Sequence, residues 1–143
     1  MAVHQGRDAL TLEPRLDAAG LARRHVRTCL MDWELESLVD PVLLLTSEVV
    51  TNALLHTGTR LTVLVERSGA GVQVAVEDGS SVPPVQRRHS TTASTGRGVQ
   101  LLEAIAETWG WRPTAAGKIV WFRVLSADGW EPVVDLDELE VDL

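Results

Sequence analysis

Ser47-Glu48-Val49-Val50-Thr51-Asn52-Ala53-Leu54-Leu55-His56 is the stretch on which the fold reading turns. It lies inside a longer apolar segment. Asp40-Pro41 has the form of a helix start, an N-cap followed by proline at the first helical position. Leu43, Leu44, Leu45, Val49, Val50, Ala53, Leu54 and Leu55 carry the segment, and Gly58 can end it. Glu48, Asn52 and His56 break the apolar pattern at i, i+4 and i+8, so on a helix they share one stripe. A carboxylate and an amide in so apolar a helix are costly unless they are satisfied or face a cleft. On the helix alone the stripe reads either as a solvent-facing polar edge or as a ligand site.

Working outward, Ala9 to Glu13 reads as a short strand ended by Pro14. Asp17 can cap a helix running to about Leu30, with Ala18, Ala22, Val26 and Leu30 along one side. Asp32 to Ser37 reads as a connection. Beyond Gly58, Leu61, Val63 and Val65 alternate, and so do Val72, Val74 and Val76 after the turn Ser68-Gly69-Ala70-Gly71, which gives a hairpin with one buried face. Residues 79–95 form a long Ser/Thr/Pro-rich loop carrying Arg87, Arg88 and His89, and a loop of that length in a compact domain is often functional. Thr95 or Gly96 opens a third helix, with Val99, Leu102, Ile105, Ala106 and Trp109 at helical spacing. Trp109 to Arg112 and Lys118 to Leu125 read as the last two strands. The expected fold is an α/β two-layer sandwich, three main helices on one face of a mixed, mostly antiparallel sheet.

The charge is unevenly placed. The chain has 143 residues and a net charge of -7. Seven acids and no base fall in residues 128–143, which leaves 13 acids and 13 bases in residues 1–127. A neutral body with an acidic tail is a poor electrostatic match for nucleic acid or an anionic membrane. The single cysteine, Cys29, permits no internal disulfide and no multi-cysteine zinc site, and fits a reducing compartment. The first eight residues include His4, Gln5, Arg7 and Asp8 and no signal-type apolar stretch follows them, while the longest uncharged run, Val49 to Thr59, is too short to span a bilayer. The expected location is cytoplasmic. The lone lysine, Lys118, follows Gly117 but precedes Ile119, so it is no P-loop lysine, and it comes too late in the chain for a eukaryotic-type kinase.

Two further features bear on chemistry. The strand Val72 to Asp78 ends in an acid followed by Gly79. Such an acid can accept a hydrogen bond from a ligand amine, although a plain turn aspartate has the same form. Thr95-Gly96-Arg97-Gly98-Val99 stands at a helix start, where backbone N–H groups and the helix dipole favour phosphate and glycine permits its close approach. A lone Gly-x-Gly is more often a flexible cap. The helix stripe, the strand-end acid and the glycine pair in this order are more specific than any one of them.

Together Ser47 to His56, Asp78-Gly79, and Gly96-Arg97-Gly98-Val99-Gln100-Leu101-Leu102 resemble the N, G1 and G2 boxes of the GHKL ATPases, the superfamily of gyrase, the histidine-kinase catalytic domain and mismatch-repair ATPases. Small size, the opening strand and helix, and the closing Gly117-Lys118-Ile119-Val120-Trp121-Phe122 are most similar to the anti-sigma-factor serine/threonine kinases, in particular the stand-alone actinobacterial versions. The resemblance covers residues 8–125. It implies the Bergerat ATP-binding fold in residues 1–127, with residues 128–143 an acidic tail outside it. ATP and Mg²⁺ are the implied cofactors. Asn52 would coordinate Mg²⁺, and an amide oxygen is a hard ligand suited to that ion. Glu48 would be the general base. Asp78, with Gly79, would receive the adenine amine. Thr95, Gly96, Arg97, Gly98 and Val99 would hold the phosphates, and residues 79–95 would be the lid. His56 matches a family position near the nucleotide pocket and carries no implied role in the chemistry.

The implied partner is a small anti-anti-sigma (STAS-like) protein or a sigma factor, either phosphorylated on serine or threonine or held in a nucleotide-dependent way. A homodimer is also implied. The family G1 pattern is Asp-x-Gly-x-Gly, whereas Asp78 is followed by Gly79, Ser80, Ser81 and Val82. That departure keeps open a non-catalytic partner-binding module with weakened nucleotide binding, and a stand-alone ATPase is a third reading. The acidic tail is expected either to be a solvated extension or to dock on Arg87, Arg88 or Arg97, or on a partner.

Overall fold

A computed structural model of the chain describes residues 6–80 and 100–126. Five strands, β1 (Arg7–Leu12), β2 (Leu61–Ser68), β3 (Gly71–Asp78), β4 (Thr108–Pro113) and β5 (Lys118–Leu125), form one sheet in the order β1-β2-β3-β5-β4. Helices α1 (Ala18–Asp32) and α2 (Val39–Thr57) and helical residues 100–105 (α3) accompany it. All but Gly79 and Ser80 of the lid expected at residues 79–95, the candidate phosphate residues Thr95, Gly96, Arg97, Gly98 and Val99, the basic residues Arg87 and Arg88, and the acidic tail at 128–143 lie outside the described residues.

The strand periodicity decides which face is buried. Leu61, Val63 and Val65 of β2, Val72, Val74 and Val76 of β3, and Val120, Phe122 and Val124 of β5 join one core with Ala18, Ala22, Val26 and Leu30 of α1 and Val42, Leu45, Val49 and Val50 of α2. Residues two apart on a strand share a face. The helices therefore cover one face of the sheet, an α/β two-layer arrangement. On the opposite face Ala9, Leu64, Ala75, Trp121 and Gly110 stand in register across all five strands.

All four strand pairings are antiparallel, which corrects the expectation of a mixed sheet. The reason is topological. Two helices separate β1 from β2. They fold as a hairpin, with Arg23 Nη1 donating to Ser47 Oγ at 2.9 Å, so the chain re-enters the sheet at the end it left. A single helix would have returned it to the starting end and made a parallel pair. β4 runs in the same direction as β3, but β5 is inserted between them.

Local boundaries differ in three places. α2 begins at Val39, directly after a 3₁₀ turn at Glu36–Leu38, so Asp40 lies in the first turn and does not cap. Pro41 is tolerated there because the first-turn N–H groups lack intrahelical partners anyway. Asp17 does occupy the N-cap of α1, but its side chain makes no capping bond, and its carboxylate lies 3.7 Å from Arg15 Nε. Trp109, which the sequence pattern assigns both to the third helix and to the strand Trp109 to Arg112, belongs to β4 alone. The chain has already turned into the sheet at Glu107, whose N–H donates to Arg123 O at 2.8 Å.

The segment Glu36–Leu55 is long and apolar enough by length and composition to cross a membrane, which the length of the uncharged run alone does not register. Here 56% of its apolar window is buried inside the domain, and it packs as the core helix.

Candidate functional site

α2 owes its 19 residues to a leucine- and valine-rich sequence with no helix breaker after its first turn, and it stops where Gly58 adopts a left-handed conformation with φ 63°. Val42, Leu45, Val49, Val50 and Ala53 face the core. Glu48 and Asn52, one turn apart, are half-buried. Among the described residues neither side chain has a hydrogen-bond partner. The oxygens of such a carboxylate and amide can take a hydrated divalent cation, directly or through its waters.

The C-terminal end of α2 is tied to the end of β3. Thr59 Oγ1 accepts from the Gly79 N–H at 2.9 Å and donates to Thr57 Oγ1 at 3.1 Å. Thr57 lies about 7–8 Å along the axis from Asn52 at the helical rise of ~1.5 Å per residue. The polar stripe of α2 thus runs toward the turn that carries Asp78 and Gly79.

Asp78 shares strand parity with Val74 and Val76, and Lys118 with Val120 and Phe122, so both point toward the helix layer. They are also register partners on neighbouring strands. Lys118 Nζ donates to Asp78 Oδ2 at 2.9 Å and to Asp78 Oδ1 at 3.1 Å, and Oδ1 also accepts the Ser80 N–H at 2.8 Å. The two side chains are 0% and 1% exposed. Gly117 lies hard against this turn, where a Cβ would overlap Asp78 O and come within 2.6 Å of Gly79 Cα.

The fold therefore joins Asp78 and Gly79 to Thr59, Gly117 and Lys118 in one hydrogen-bonded and packed corner. Glu48 and Asn52 stand on the helix that ends at that corner. Lys118 and Thr59 were not among the sequence candidates. Lys118 carried a signal nonetheless, as the only lysine in the chain and one set in a strand at the same parity as Val120 and Phe122.

No family model matches the chain, and no curated protein matches it.

Proposed function

We propose that the chain is a cytoplasmic ATP·Mg²⁺-binding regulatory protein with a Bergerat-type nucleotide site, of the anti-sigma-factor serine/threonine kinase type. The observation that carries this reading is the pair Glu48 and Asn52. They are one turn apart, half-buried and unpartnered among the described residues, on a helix that otherwise serves the core. Polar groups half out of water on such a helix are satisfied by solvent or by a ligand in a cleft, and their one-turn spacing favours the ligand.

For the phosphate half of the ligand the support is the donor chemistry of Asn52 and Glu48. Asn52 offers a neutral oxygen for an ion that keeps several waters. Glu48 is placed one turn earlier and can take a proton from a serine hydroxyl or a water. Bound Mg²⁺·ATP supplies the transferable phosphoryl group and the neutralising charge. In the base-recognition half Asp78 must share its carboxylate with Lys118. Oδ2 accepts one bond from Lys118, a carboxylate oxygen has a second lone pair, and with the side chain 1% exposed an adenine amine would reach it only if the corner opens. The partner is a small anti-anti-sigma-like protein or a sigma factor, and nucleic acid is not bound directly.

A second reading is favoured by the same corner. A carboxylate 1% exposed and already held by a lysine suits a partner-binding module with weak nucleotide affinity. Calorimetric titration with Mg²⁺·ATP separates the two. Binding that loses its Mg²⁺ dependence in Asn52→Ala supports the nucleotide reading, and no heat at millimolar nucleotide sinks it. With a phosphoacceptor partner present, Glu48→Ala is expected to keep binding and lose transfer.

A further inference from the structure

Asp8 of β1 and His25 and Cys29 of α1 form a separate cluster. His25 and Cys29 are one turn apart, so they share a stripe of α1, and Asp8 reaches that stripe from the edge strand. His25 Nε2 lies 3.7 Å from Asp8 Oδ2 and 3.8 Å from Cys29 Sγ. One donor atom from each of the three lies within 4.8 Å of the other two. Cys29 is buried, and the His25 and Asp8 side chains are 19% and 27% exposed.

The direction of approach distinguishes between uses of these residues. In a Cys-His-Asp catalytic arrangement the thiol and the carboxylate bond opposite nitrogens of the imidazole. Here both approach Nε2. Convergence on one ring nitrogen is the pattern of ligands around a common centre. Zn–S of ~2.3 Å and Zn–N of ~2.0 Å in a tetrahedron place neighbouring donor atoms roughly 3.3–3.6 Å apart. The two short separations are within a few tenths of an ångström of that spacing, and the third closes with a movement of about an ångström.

We propose that Asp8, His25 and Cys29 form a divalent zinc-class metal site joining β1 to α1, with solvent water in the fourth position. The ligand chemistry sets the class. One thiolate, one imidazole and one carboxylate suit borderline ions such as Zn²⁺ and disfavour Mg²⁺ and Ca²⁺, which take oxygen ligands. The partial exposure of Asp8 and His25 gives the ion a route in and leaves room for the water. Asp8 and Asp32 place negative charge around Cys29, and the same field attracts a dication. The basic residues of the helix, Arg23, Arg24 and Arg27, are all exposed, and Arg23 is directed to Ser47. Because β1 is the edge strand and pairs with β2 alone among the described strands, the ion would add a tie between the start of the sheet and the helix layer. The proposal is independent of the nucleotide reading.

The test uses the tag-free full chain, stripped with EDTA and titrated with Co²⁺ without nucleotide. The expected result is uptake of one ion per chain, with a thiolate-to-cobalt charge-transfer band, four-coordinate visible bands, and displacement by Zn²⁺. Asp8→Asn and His25→Gln, at half-exposed positions that leave the core intact, are expected to weaken binding at least tenfold. Zn²⁺ should raise the melting temperature of the wild type and not of His25→Gln. No charge-transfer band at millimolar Co²⁺, or affinity unchanged in His25→Gln, overturns the proposal.

Discussion

Lys118 and Asp78, forty residues apart in the chain, form a sealed ion pair across β5 and β3, with Nζ 2.9 Å from Oδ2. Removing one member takes the opposite charge away from a buried ion, which costs about 3–5 kcal/mol. Lys118→Met and Asp78→Asn are each expected to lower stability by about that amount in urea unfolding. The double variant should cost less than the sum of the two, by a coupling of about 1–3 kcal/mol. Because the pair is shielded from solvent, molar salt should barely alter that coupling. A Lys118→Met cost under about 1 kcal/mol would show that the pair is not a stabilising contact.

What the sequence made legible follows from the range of each signal. The alternation of Leu61, Val63 and Val65 and of Val72, Val74 and Val76 is local, and it placed the hairpin and its buried face correctly. The 3.6 period placed Glu48 and Asn52 on one stripe. The Asp78–Lys118 pair was not legible, because it depends on the β3–β5 register. Parity alone indicates that both side chains face inward, but not that they stand opposite each other. Trp109 fits a helical period and can equally begin a strand, so local spacing leaves it in both, and the Glu107 to Arg123 bond that decides for β4 is long-range. The Asp8–His25–Cys29 cluster likewise needs β1 packed on α1 before its members become neighbours.

Gly117 and Gly71 are required for space. A Cβ on Gly117 would overlap Asp78 O, and one on Gly71 would overlap Val124 O and lie 2.9 Å from Leu125 Cα. The obstructing atoms are backbone and cannot rotate away. Gly117→Ala and Gly71→Ala are each expected to destabilise by about 1–3 kcal/mol or more. Thermal unfolding checks this, and an unchanged melting temperature would contradict the close packing.

The two long helices end by the same device with different residues. α1 closes with Leu35 N–H donating to Leu30 O at 2.8 Å and Glu34 N–H to Met31 O at 3.1 Å, which puts Glu34 at φ 60°. α2 closes at Gly58 with φ 63° and open space where a Cβ would stand. A left-handed conformation costs an L-residue about 1–2 kcal/mol, and glycine avoids it at some cost in unfolded-state entropy. Glu34→Gly is expected to stabilise by about 0.5–1 kcal/mol and Gly58→Ala to destabilise by about 1 kcal/mol. Opposite shifts in the denaturation midpoint are the signature.

Cys29 gives the stability a pH dependence in the metal-free protein. Burial first, then the Asp8 and Asp32 carboxylates, push its thiol from 9.0 up to about 12. The folded-state value is the higher one, so the unfolded chain loses its proton first as pH rises. The contribution is fully present below pH 9.0 and is lost between there and about 12. Within that window each pH unit removes about 1.4 kcal/mol. With EDTA present, the wild type should lose stability relative to Cys29→Ala across this range and show no difference in slope below it. Alkylation of the native thiol at neutral pH should be slow for the same reason.

Glu48 and Asn52 contribute nothing to the core by hydrogen bonding, since neither has a partner among the described residues, and each sits in a helix interior. Alanine has the higher helix propensity, by up to about 0.7 kcal/mol over asparagine and less over glutamate. It also removes the cost of holding a polar group half out of water. Asn52→Ala is therefore expected to be neutral or stabilising by about 0.5–1 kcal/mol, and Glu48→Ala by a smaller amount. The neighbouring Val50→Ala, in the core, should cost about 2 kcal/mol or more. If a ligand is what retains these two residues, the variants that gain stability are the ones that lose Mg²⁺-dependent nucleotide binding or transfer. A marked loss of stability in Asn52→Ala would instead assign the amide to the fold and remove the observation on which the nucleotide reading rests.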